Sequence, residues 1–280
     1  MDSLVSTDWL ASRLGSDDIV VLSASAHLPD AGRDAAADFA AAHIPGALRL
    51  DLSRLADADH PAPGMVPPPE QFAEVVGELG VSNSSRVVLY DDSAIHSAFR
   101  AWYLFRLFGH ADVAVLDGGL AKWEAEGREI DSGEANASPR PFHASRNDGL
   151  LRLKDQIAAN CETGMEQLVD ARGSGRFTGE EPEIRPGMAS GHIPGARNLP
   201  YSQLFRDDGT MLPPDRLRAA FEEVGIDPAK PVVTTCGSGV SAAILLHALD
   251  QIGASNIALY DGSWSEWAMD PDTPKATGPA

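Results

Sequence analysis

Residues 231–242 read Pro231-Val232-Val233-Thr234-Thr235-Cys236-Gly237-Ser238-Gly239-Val240-Ser241-Ala242. The first residues of this stretch are short, apolar and β-branched, which predicts a buried strand. Beyond it, apolar residues recur at helical spacing through 244–252, and Gly253 is a suitable C-cap. A strand that leads through a Gly-rich turn into a helix is typical of an α/β protein.

Cys236 lies in that turn, at the start of the predicted helix. Gly237 and Gly239 allow a tight backbone that points N–H groups inward, and the helix dipole adds positive charge. Both features favour the thiolate form of Cys236, which is the nucleophilic form of the side chain. The alternative interpretation is a buried structural cysteine, since free cysteine is among the most buried residue types.

Two other loop classes fit this stretch poorly. A phosphate-binding loop requires a Gly-Lys-Ser/Thr sequence, which does not follow here. A cysteine phosphatase requires an arginine six positions after its cysteine, and that position is Ala242.

The composition limits the classes of partner. The chain has 280 residues, with 22 basic and 41 acidic residues and a net charge of −19, which argues against nucleic acid and anionic membranes. Two cysteines in a chain of this length are not a disulfide framework and suit a reducing compartment. The sequence has no signal-peptide pattern and no apolar segment of the roughly 20 residues that a membrane span needs. We therefore expect a cytoplasmic protein.

Three motifs occur twice, in the same order and separated by 144 to 149 residues. His-Ile-Pro-Gly-Ala occupies 43–47 and 192–196, the strand-like segment 87–91 matches 232–236, and the Asp-Gly segment 117–123 matches 261–267. The repeat predicts a duplicated domain. We expect two α/β domains, each a mainly parallel sheet flanked by helices, over 1–131 and 150–280, joined by a polar linker over 132–149.

The duplication separates structural from chemical residues. His43 and His192 occur in both copies, so we interpret them as turn-stabilising residues, and we interpret the two Asp-Gly pairs in the same way. Cys236 has no counterpart, because the equivalent position is Asp91. The second domain is therefore expected to be active and the first catalytically inactive.

These features together resemble the two-domain rhodanese family of sulfurtransferases. The resemblance covers about residues 5 to 268, and the loop from Cys236 to Ser241 is similar to the Cys-Gly-Ser-Gly-Val-Thr form of 3-mercaptopyruvate sulfurtransferases. Thiosulfate-specific members typically have basic residues where Gly237 and Ser238 stand.

The resemblance implies a mechanism and a set of site residues. Cys236 would be the nucleophile that carries a persulfide, held by the loop residues Gly237, Ser238, Gly239, Val240 and Ser241. A small-molecule sulfur donor would load it, and a small thiol, cyanide or a thioredoxin-like reductant would unload it, with no metal or organic cofactor.

Two arginines match the family's pair for the carboxylate and keto oxygen of the substrate, namely Arg176 and Arg185. A guanidinium group can bind a carboxylate through two hydrogen bonds. Alternatively, either arginine pairs with the neighbouring acids Glu180, Glu181 or Glu183.

The sequence departs from the family at a proposed proton relay. Gly64 stands where some mercaptopyruvate enzymes have a histidine, and Ser53 aligns with the aspartate of that relay. Ser238 either hydrogen-bonds the donor or caps the following helix.

Three functions remain open. The first is 3-mercaptopyruvate sulfurtransferase activity, which the Gly-Ser loop favours. The second is thiosulfate:cyanide sulfurtransferase activity, which the missing histidine favours. The third is a non-catalytic sulfur carrier or regulatory module, against which the intact Cys236 argues.

Overall fold

The computed structural model describes residues 1–183 and 187–280, and the chain divides into two compact units. Unit 1 contains residues 1–56, 67–147 and 206–211, and unit 2 contains residues 57–66, 148–205 and 212–280. Each unit thus includes a short segment from the other half of the sequence.

The regular elements of unit 1 are five strands and five α-helices in the described chain. The strands are β1 (Leu4–Val5), β2 (Ile19–Ser23), β3 (Leu48–Arg49), β4 (Arg86–Tyr90) and β5 (Val113–Leu116). The helices are α1 (Thr7–Ala11), α2 (Ala35–Ala41), α3 (Pro69–Glu78), α4 (Ala98–Leu107) and α5 (Gly119–Ala125), with a 3-10 turn over Leu52–Leu55.

Unit 2 repeats this order within its described residues. The strands are β6 (Leu151–Arg152), β7 (Gln167–Asp170), β8 (Arg197–Asn198), β9 (Val232–Thr235) and β10 (Ile257–Tyr260). The helices are α6 (Lys154–Thr163), α7 (Ser174–Thr178), α8 (Pro214–Glu223), α9 (Ala242–Gln251) and α10 (Ser263–Trp267), with 3-10 turns over Asp148–Leu150 and Tyr201–Leu204.

Both sheets have the same strand order. It is β1-β5-β4-β2-β3 in unit 1 and β6-β10-β9-β7-β8 in unit 2, and every strand pair is parallel. The predicted fold class, two α/β domains with mainly parallel sheets, is confirmed. Because β9 is the central strand of its sheet, the loop that follows it lies at the middle of the carboxyl edge, where α/β proteins place ligand sites.

Burial explains why the central elements form. Strands β4, β9 and β10 are buried almost throughout, as apolar β-branched runs in a parallel sheet covered on both faces should be. Helices α4 and α9 are buried along nearly their whole length. The cores include Leu10, Val88 and Trp123 in unit 1 and Ile157, Val233 and Trp267 in unit 2.

The two His-Ile-Pro-Gly-Ala segments have matching contacts. The Nδ1 atom of His43 is 2.8 Å from the carbonyl oxygen of Phe39, and the rings of these residues stack at 4.2 Å. The Nδ1 atom of His192 is 2.9 Å from the carbonyl oxygen of Phe177, and these rings stack at 3.8 Å. Both histidines are buried, and these contacts are those of structural residues.

The Asp-Gly pairs hold the segments that come from the other half of the sequence. In unit 1, Asp117 accepts a hydrogen bond of 2.8 Å from the backbone N–H of Met211. In unit 2, Asp261 accepts one of 2.6 Å from the backbone N–H of Val66. The two contacts occupy equivalent places in the repeat, which is a physical reason for an aspartate in both copies.

The differences from the sequence-based expectations are local. Strand β3 is short, at Leu48–Arg49, and the segment that contains Arg176 forms helix α7. The predicted linker contacts unit 1, because the backbone N–H groups of Arg140 and Ser145 donate to the carbonyl oxygens of Gly77 and Phe108. Within the described residues, no helix is both long and apolar enough to span a bilayer.

Candidate active site

Cys236 is the first residue after β9, and its Sγ atom accepts a hydrogen bond from the loop backbone. The donor is the N–H of Gly239, at 3.1 Å. Gly239 has a φ of +78°, a left-handed conformation that glycine adopts without steric cost. The loop therefore bends back on itself and points an N–H group at the sulfur, as the sequence predicts.

Residues at the start of helix α10 hydrogen-bond to the backbone of the cysteine loop. The backbone N–H of Cys236 donates to Oγ of Ser263 at 3.2 Å, and that hydroxyl donates to the carbonyl oxygen of Tyr260 at 2.8 Å. The backbone N–H groups of Trp264 and Ser265 donate to the carbonyl oxygens of Cys236 and Gly237. Ser263 has a φ of +49°, an unusual value for a residue other than glycine, so the chain tolerates local strain here.

Arg176 lies beside the loop. A Cβ atom built on Gly237 would be 3.2 Å from one terminal nitrogen of the Arg176 guanidinium. The same guanidinium donates to Oε2 of Glu183, through Nε at 3.2 Å and Nη2 at 2.5 Å. Arg176 therefore pairs with an acid, which was the alternative interpretation, and it also places positive charge next to the residue after Cys236.

Glu183 connects Arg176 to a second, buried arginine. Arg172 donates to Oε1 of Glu183 at 2.6 Å, contacts Asp170 through three hydrogen bonds, and stacks over Trp264 at 4.6 Å. Burial lowers the pKa of Arg172, but Asp170 and Glu183 raise it more, so the net shift is upward and the group stays charged. The network fixes Glu183, and Glu183 in turn fixes Arg176.

Tyr201 is a neighbour that the sequence analysis did not identify. Its backbone N–H donates to the carbonyl oxygen of Ala171, and the Ala171 N–H donates to that of Thr235, the residue before Cys236. Burial, and secondly the charge of the Cys236 sulfur, raise the pKa of the Tyr201 phenol. The phenol therefore remains protonated at neutral pH and can act as a hydrogen-bond donor.

Residues 57–66 bring Gly64 to the loop. Gly64 has a φ of +77°, and a Cβ atom built on it would lie 3.5 Å from the carbonyl oxygen of Ser238. The position at which some family members have a histidine is thus adjacent to the cysteine loop within unit 2. Ser53, aligned with the relay aspartate, lies in unit 1, where it donates to Asp51.

The remaining predicted site residues have different outcomes. Helix α9 begins at Ala242, and its N-cap is Ser241, so helix capping by Ser238 is wrong. Val240 and Ser241 complete the turn between Gly239 and α9, and both are half-buried. Arg185 lies outside the described residues.

In the first copy a carboxylate replaces the thiol. Asp91 follows β4, and its carboxylate accepts hydrogen bonds from the N–H of Ser93 at 3.3 Å and from the N–H of Ala98 at 2.6 Å. One N–H group of the loop and one at the start of α4 are therefore directed at a side chain that cannot act as a sulfur nucleophile.

Three contributors to the site were missed from the sequence. Glu183 was considered only as a competitor for Arg176, and Ser263 and Tyr201 were not considered. A signal for Ser263 exists, because the repeat aligns it with Gly119, which also has a positive φ of +57°. Tyr201 and Gly64 reach the loop by long-range packing, which no local pattern encodes.

A buried thiol with an N–H donor, on a loop beside a fixed guanidinium, can attack an electrophilic sulfur of an anionic compound and hold the resulting anion.

The family model for the rhodanese-like domain matches residues 6–126 and 153–270. The chain belongs to the rhodanese-like family and has two copies of its domain.

Known proteins with the same organisation are similar over most of their length. A 3-mercaptopyruvate sulfurtransferase of Mus musculus is 40% identical over 95% of this chain and 92% of its own. A thiosulfate/3-mercaptopyruvate sulfurtransferase, mitochondrial, of Arabidopsis thaliana is 39% identical over 98% of this chain and 78% of its own. The crystal structure of the Escherichia coli 3-mercaptopyruvate enzyme SseA superposes with a TM-score of 0.86 at 35% identity, covering 94% of this chain and 99% of SseA.

Proposed function

We propose that this protein is a sulfurtransferase that carries a sulfur atom as a persulfide on Cys236. The observation that carries the proposal is the arrangement of one sulfur, one backbone hydrogen-bond donor and one positively charged group. The Gly239 N–H donates to Sγ at 3.1 Å, and the Arg176 guanidinium lies against Gly237, the next residue.

The proposed donor is 3-mercaptopyruvate. Its carboxylate and keto oxygen suit a guanidinium group, and the two residues after Cys236 carry no charge, in contrast to the basic residues of thiosulfate-specific members. The printed names of the similar proteins are consistent with this donor.

The first half-reaction transfers sulfur to the enzyme. The Cys236 thiolate attacks the sulfur of the donor and forms an S–S bond, while the C–S bond breaks and its electron pair leaves on carbon as the enolate of pyruvate. The enolate takes up the proton of the donor thiol, so the products are pyruvate and the Cys236 persulfide anion. The loop N–H groups stabilise that anion.

An acceptor thiol, cyanide or a thioredoxin-like reductant then removes the outer sulfur. We also propose that the second domain, 150–280, carries the chemistry and the first, 1–131, does not, which is supported by Asp91 at the position equivalent to Cys236. A cytoplasmic, reducing location is supported by two free cysteines, Cys161 and Cys236.

Thiosulfate is the alternative donor, and one observation favours it. Gly64 lies at the loop without the side chain that some mercaptopyruvate enzymes have there. Thiosulfate releases sulfite, which needs no proton from a relay.

A paired steady-state assay tests the proposal. 3-Mercaptopyruvate and thiosulfate are each supplied as sole donor, with a dithiol or cyanide as acceptor. We expect a preference for mercaptopyruvate of more than tenfold in kcat/KM, which is about 1.4 kcal/mol of discrimination. A preference for thiosulfate would reverse the assignment of the donor, and Cys236→Ser with undiminished activity would exclude both sulfurtransferase functions.

A further inference from the structure

A cavity in unit 2 is separate from the residues described above as holding the donor. It has a volume of about 820 Å³, within the roughly 300–1,000 Å³ typical of small-molecule sites. Its lining includes the apolar residues Pro61, Pro63, Met188 and Met269 and the polar residues His60 and Glu266.

Two segments that line this cavity also lead to contacts with the cysteine loop. Ser265 lines the cavity and donates through its N–H and its Oγ to the carbonyl oxygen of Gly237. Residues 60–63 line it as well, and the next residue, Gly64, lies at the carbonyl oxygen of Ser238. The cavity thus adjoins the groups that contact the carbonyl oxygens of Gly237 and Ser238, the two residues that follow Cys236.

The lining carries more negative than positive charge, because it has two carboxylates, Glu266 and Asp270, and one ammonium group, that of Lys154. Lys154 is paired with Asp270 at 2.6 Å, so these two charges compensate each other. Glu266 accepts a hydrogen bond from the Tyr260 hydroxyl at 2.8 Å, and its other oxygen is 3.9 Å from Nε2 of His60.

A backbone hydrogen bond orients His60 beside Glu266. Nδ1 of His60 accepts a hydrogen bond from the N–H of Ala62 at 3.1 Å, so the proton of neutral His60 is on Nε2, which faces Glu266. A ligand with an ammonium group would balance the negative charge that the lining carries in excess.

We propose that this cavity binds the sulfur acceptor, and that it selects a thiol carrying an ammonium group over one carrying a carboxylate. The proposal rests on the proposed sulfurtransferase function. The acceptor thiolate R–S⁻ attacks the outer sulfur of the persulfide and forms a new S–S bond. The Cys236 S–S bond breaks, its electron pair returns to Cys236 as thiolate, and the proton released by R–SH protonates the product R–S–SH.

A charge series of acceptors tests this assignment. Cysteamine, 2-mercaptoethanol and 3-mercaptopropionate carry a positive, a neutral and a negative group, and each is assayed with native enzyme and with Glu266→Gln. The ratio of kcat/KM between variant and native enzyme cancels the different reactivities of the three thiols. We expect the ratio to fall about five- to tenfold for cysteamine, to stay within about twofold for 2-mercaptoethanol, and to rise for 3-mercaptopropionate.

Two exposed substitutions give the same information without risk to the fold. Met269 lines the cavity and is 61% exposed. Met269→Lys should therefore lower the kcat/KM ratio for cysteamine and raise it for 3-mercaptopropionate. Met269→Glu should have the opposite effect on both ratios. Glu223→Gln, on the exposed face of α8, is the control and should leave all three ratios near one.

A single-turnover measurement separates this proposal from the function on which it rests. Without acceptor, native enzyme and all the variants should release the same burst of pyruvate from 3-mercaptopyruvate. A full burst together with equal ratios for all three acceptors would overturn the acceptor site alone. If native enzyme released neither a burst of pyruvate from 3-mercaptopyruvate nor a burst of sulfite from thiosulfate, both proposals would be overturned.

Discussion

The Arg176 guanidinium occupies the space into which a side chain at Gly237 would project, 3.2 Å from the position of its Cβ. That contact explains the glycine in terms of function: the backbone of Gly237 needs no left-handed conformation, so any requirement for glycine comes from the arginine. The contact is with the end of a flexible side chain, so a methyl group there can be accommodated if the guanidinium moves.

Gly237→Ala should therefore separate stability from donor binding. We expect the free energy of unfolding to change by less than about 1 kcal/mol, because the arginine can shift and alanine restricts the unfolded chain. The displaced guanidinium should raise the KM for 3-mercaptopyruvate about tenfold, since small misplacements of binding groups are costly. Urea unfolding and steady-state kinetics measure the two effects.

Gly173→Ala is the matched control for that substitution. Gly173 precedes α7, has a φ of −55°, and a Cβ there would meet nothing within 4 Å. It should leave KM and stability almost unchanged. An equal increase in KM in both variants would argue against a specific contact between Arg176 and residue 237.

The two arginines that share Glu183 should have opposite mutational profiles. Arg172→Met removes the buried positive charge that pairs with both Asp170 and Glu183, so the free energy of unfolding should fall by about 3–5 kcal/mol. Arg176→Met removes a side chain that is 23% exposed and leaves Glu183 paired with Arg172, so it should cost about 1 kcal/mol.

Kinetics should show the reverse order for these variants. Arg176→Met should raise the KM for 3-mercaptopyruvate strongly, whereas folded Arg172→Met should change it less. If Arg172→Met were as stable as native protein, the buried pairs of Arg172 with Asp170 and Glu183 would not be the stabilising contacts that this prediction requires.

The cysteine loop could be predicted from sequence because its chemistry is local. The strand, the turn and the helix start are contiguous, so Cys236 and Gly239 could be related by spacing alone. Arg176 was found through resemblance to a family, not through any local pattern. Glu183 could be seen only as a possible partner, because its choice between two arginines is decided by packing.

Substitutions at Gly64 test whether the histidine that some mercaptopyruvate enzymes have at this position affects the choice of donor. A φ of +77° is unfavourable for any side chain, so Gly64→Ala and Gly64→His should each lose about 1 kcal/mol of stability. If the donor preference is set by Arg176 and the loop, Gly64→His should change the mercaptopyruvate-to-thiosulfate ratio by less than about tenfold relative to Gly64→Ala.

A much larger change in that ratio would contradict this view of donor choice. It would mean that an imidazole beside Ser238 is sufficient to alter the preference. Gly64→Ala is the necessary reference, because it has the same backbone cost without the imidazole.

The fold was predictable to the level of its repeat but not to its edges. Strands of four or five residues such as β4 and β10 have recognisable apolar runs, whereas β1 and β6 contain two residues each and carry no periodicity. The inclusion of 57–66 in unit 2 depends on contacts such as that between Val66 and Asp261, which are remote in sequence.

The two Asp-Gly aspartates should protect one backbone amide each. Asp261→Ala leaves the N–H of Val66 without its acceptor, and Asp117→Ala does the same to the N–H of Met211. Each loss should cost about 1–3 kcal/mol. Amide hydrogen exchange followed by NMR should show faster exchange at Val66 in the first variant and at Met211 in the second, so each variant is the control for the other. Unchanged exchange at both amides would exclude this role.

Asp91 occupies the position of the nucleophile in the first copy, and its environment has a consequence for stability. Burial raises the pKa of the Asp91 carboxyl to about 7, although hydrogen bonds from the backbone N–H groups of Ala98 and Ser93 lower it. The ordinary value for this group is 3.8. Folding therefore favours the protonated form, and ionisation of Asp91 in the native protein is unfavourable.

The sign of the resulting pH dependence follows from proton counting. Between pH 3.8 and about 7 the native Asp91 keeps a proton that the unfolded chain has released, so stability falls as the pH rises through this window. For one group the slope is at most about 1.4 kcal/mol per pH unit. Asp91→Asn is neutral at every pH and lacks this term. In urea unfolding from pH 5 to 8, the free energy of unfolding of the variant should rise relative to that of native protein up to about pH 7. Above that pH the difference between the two should stay constant. Parallel curves would mean that Asp91 is ionised throughout.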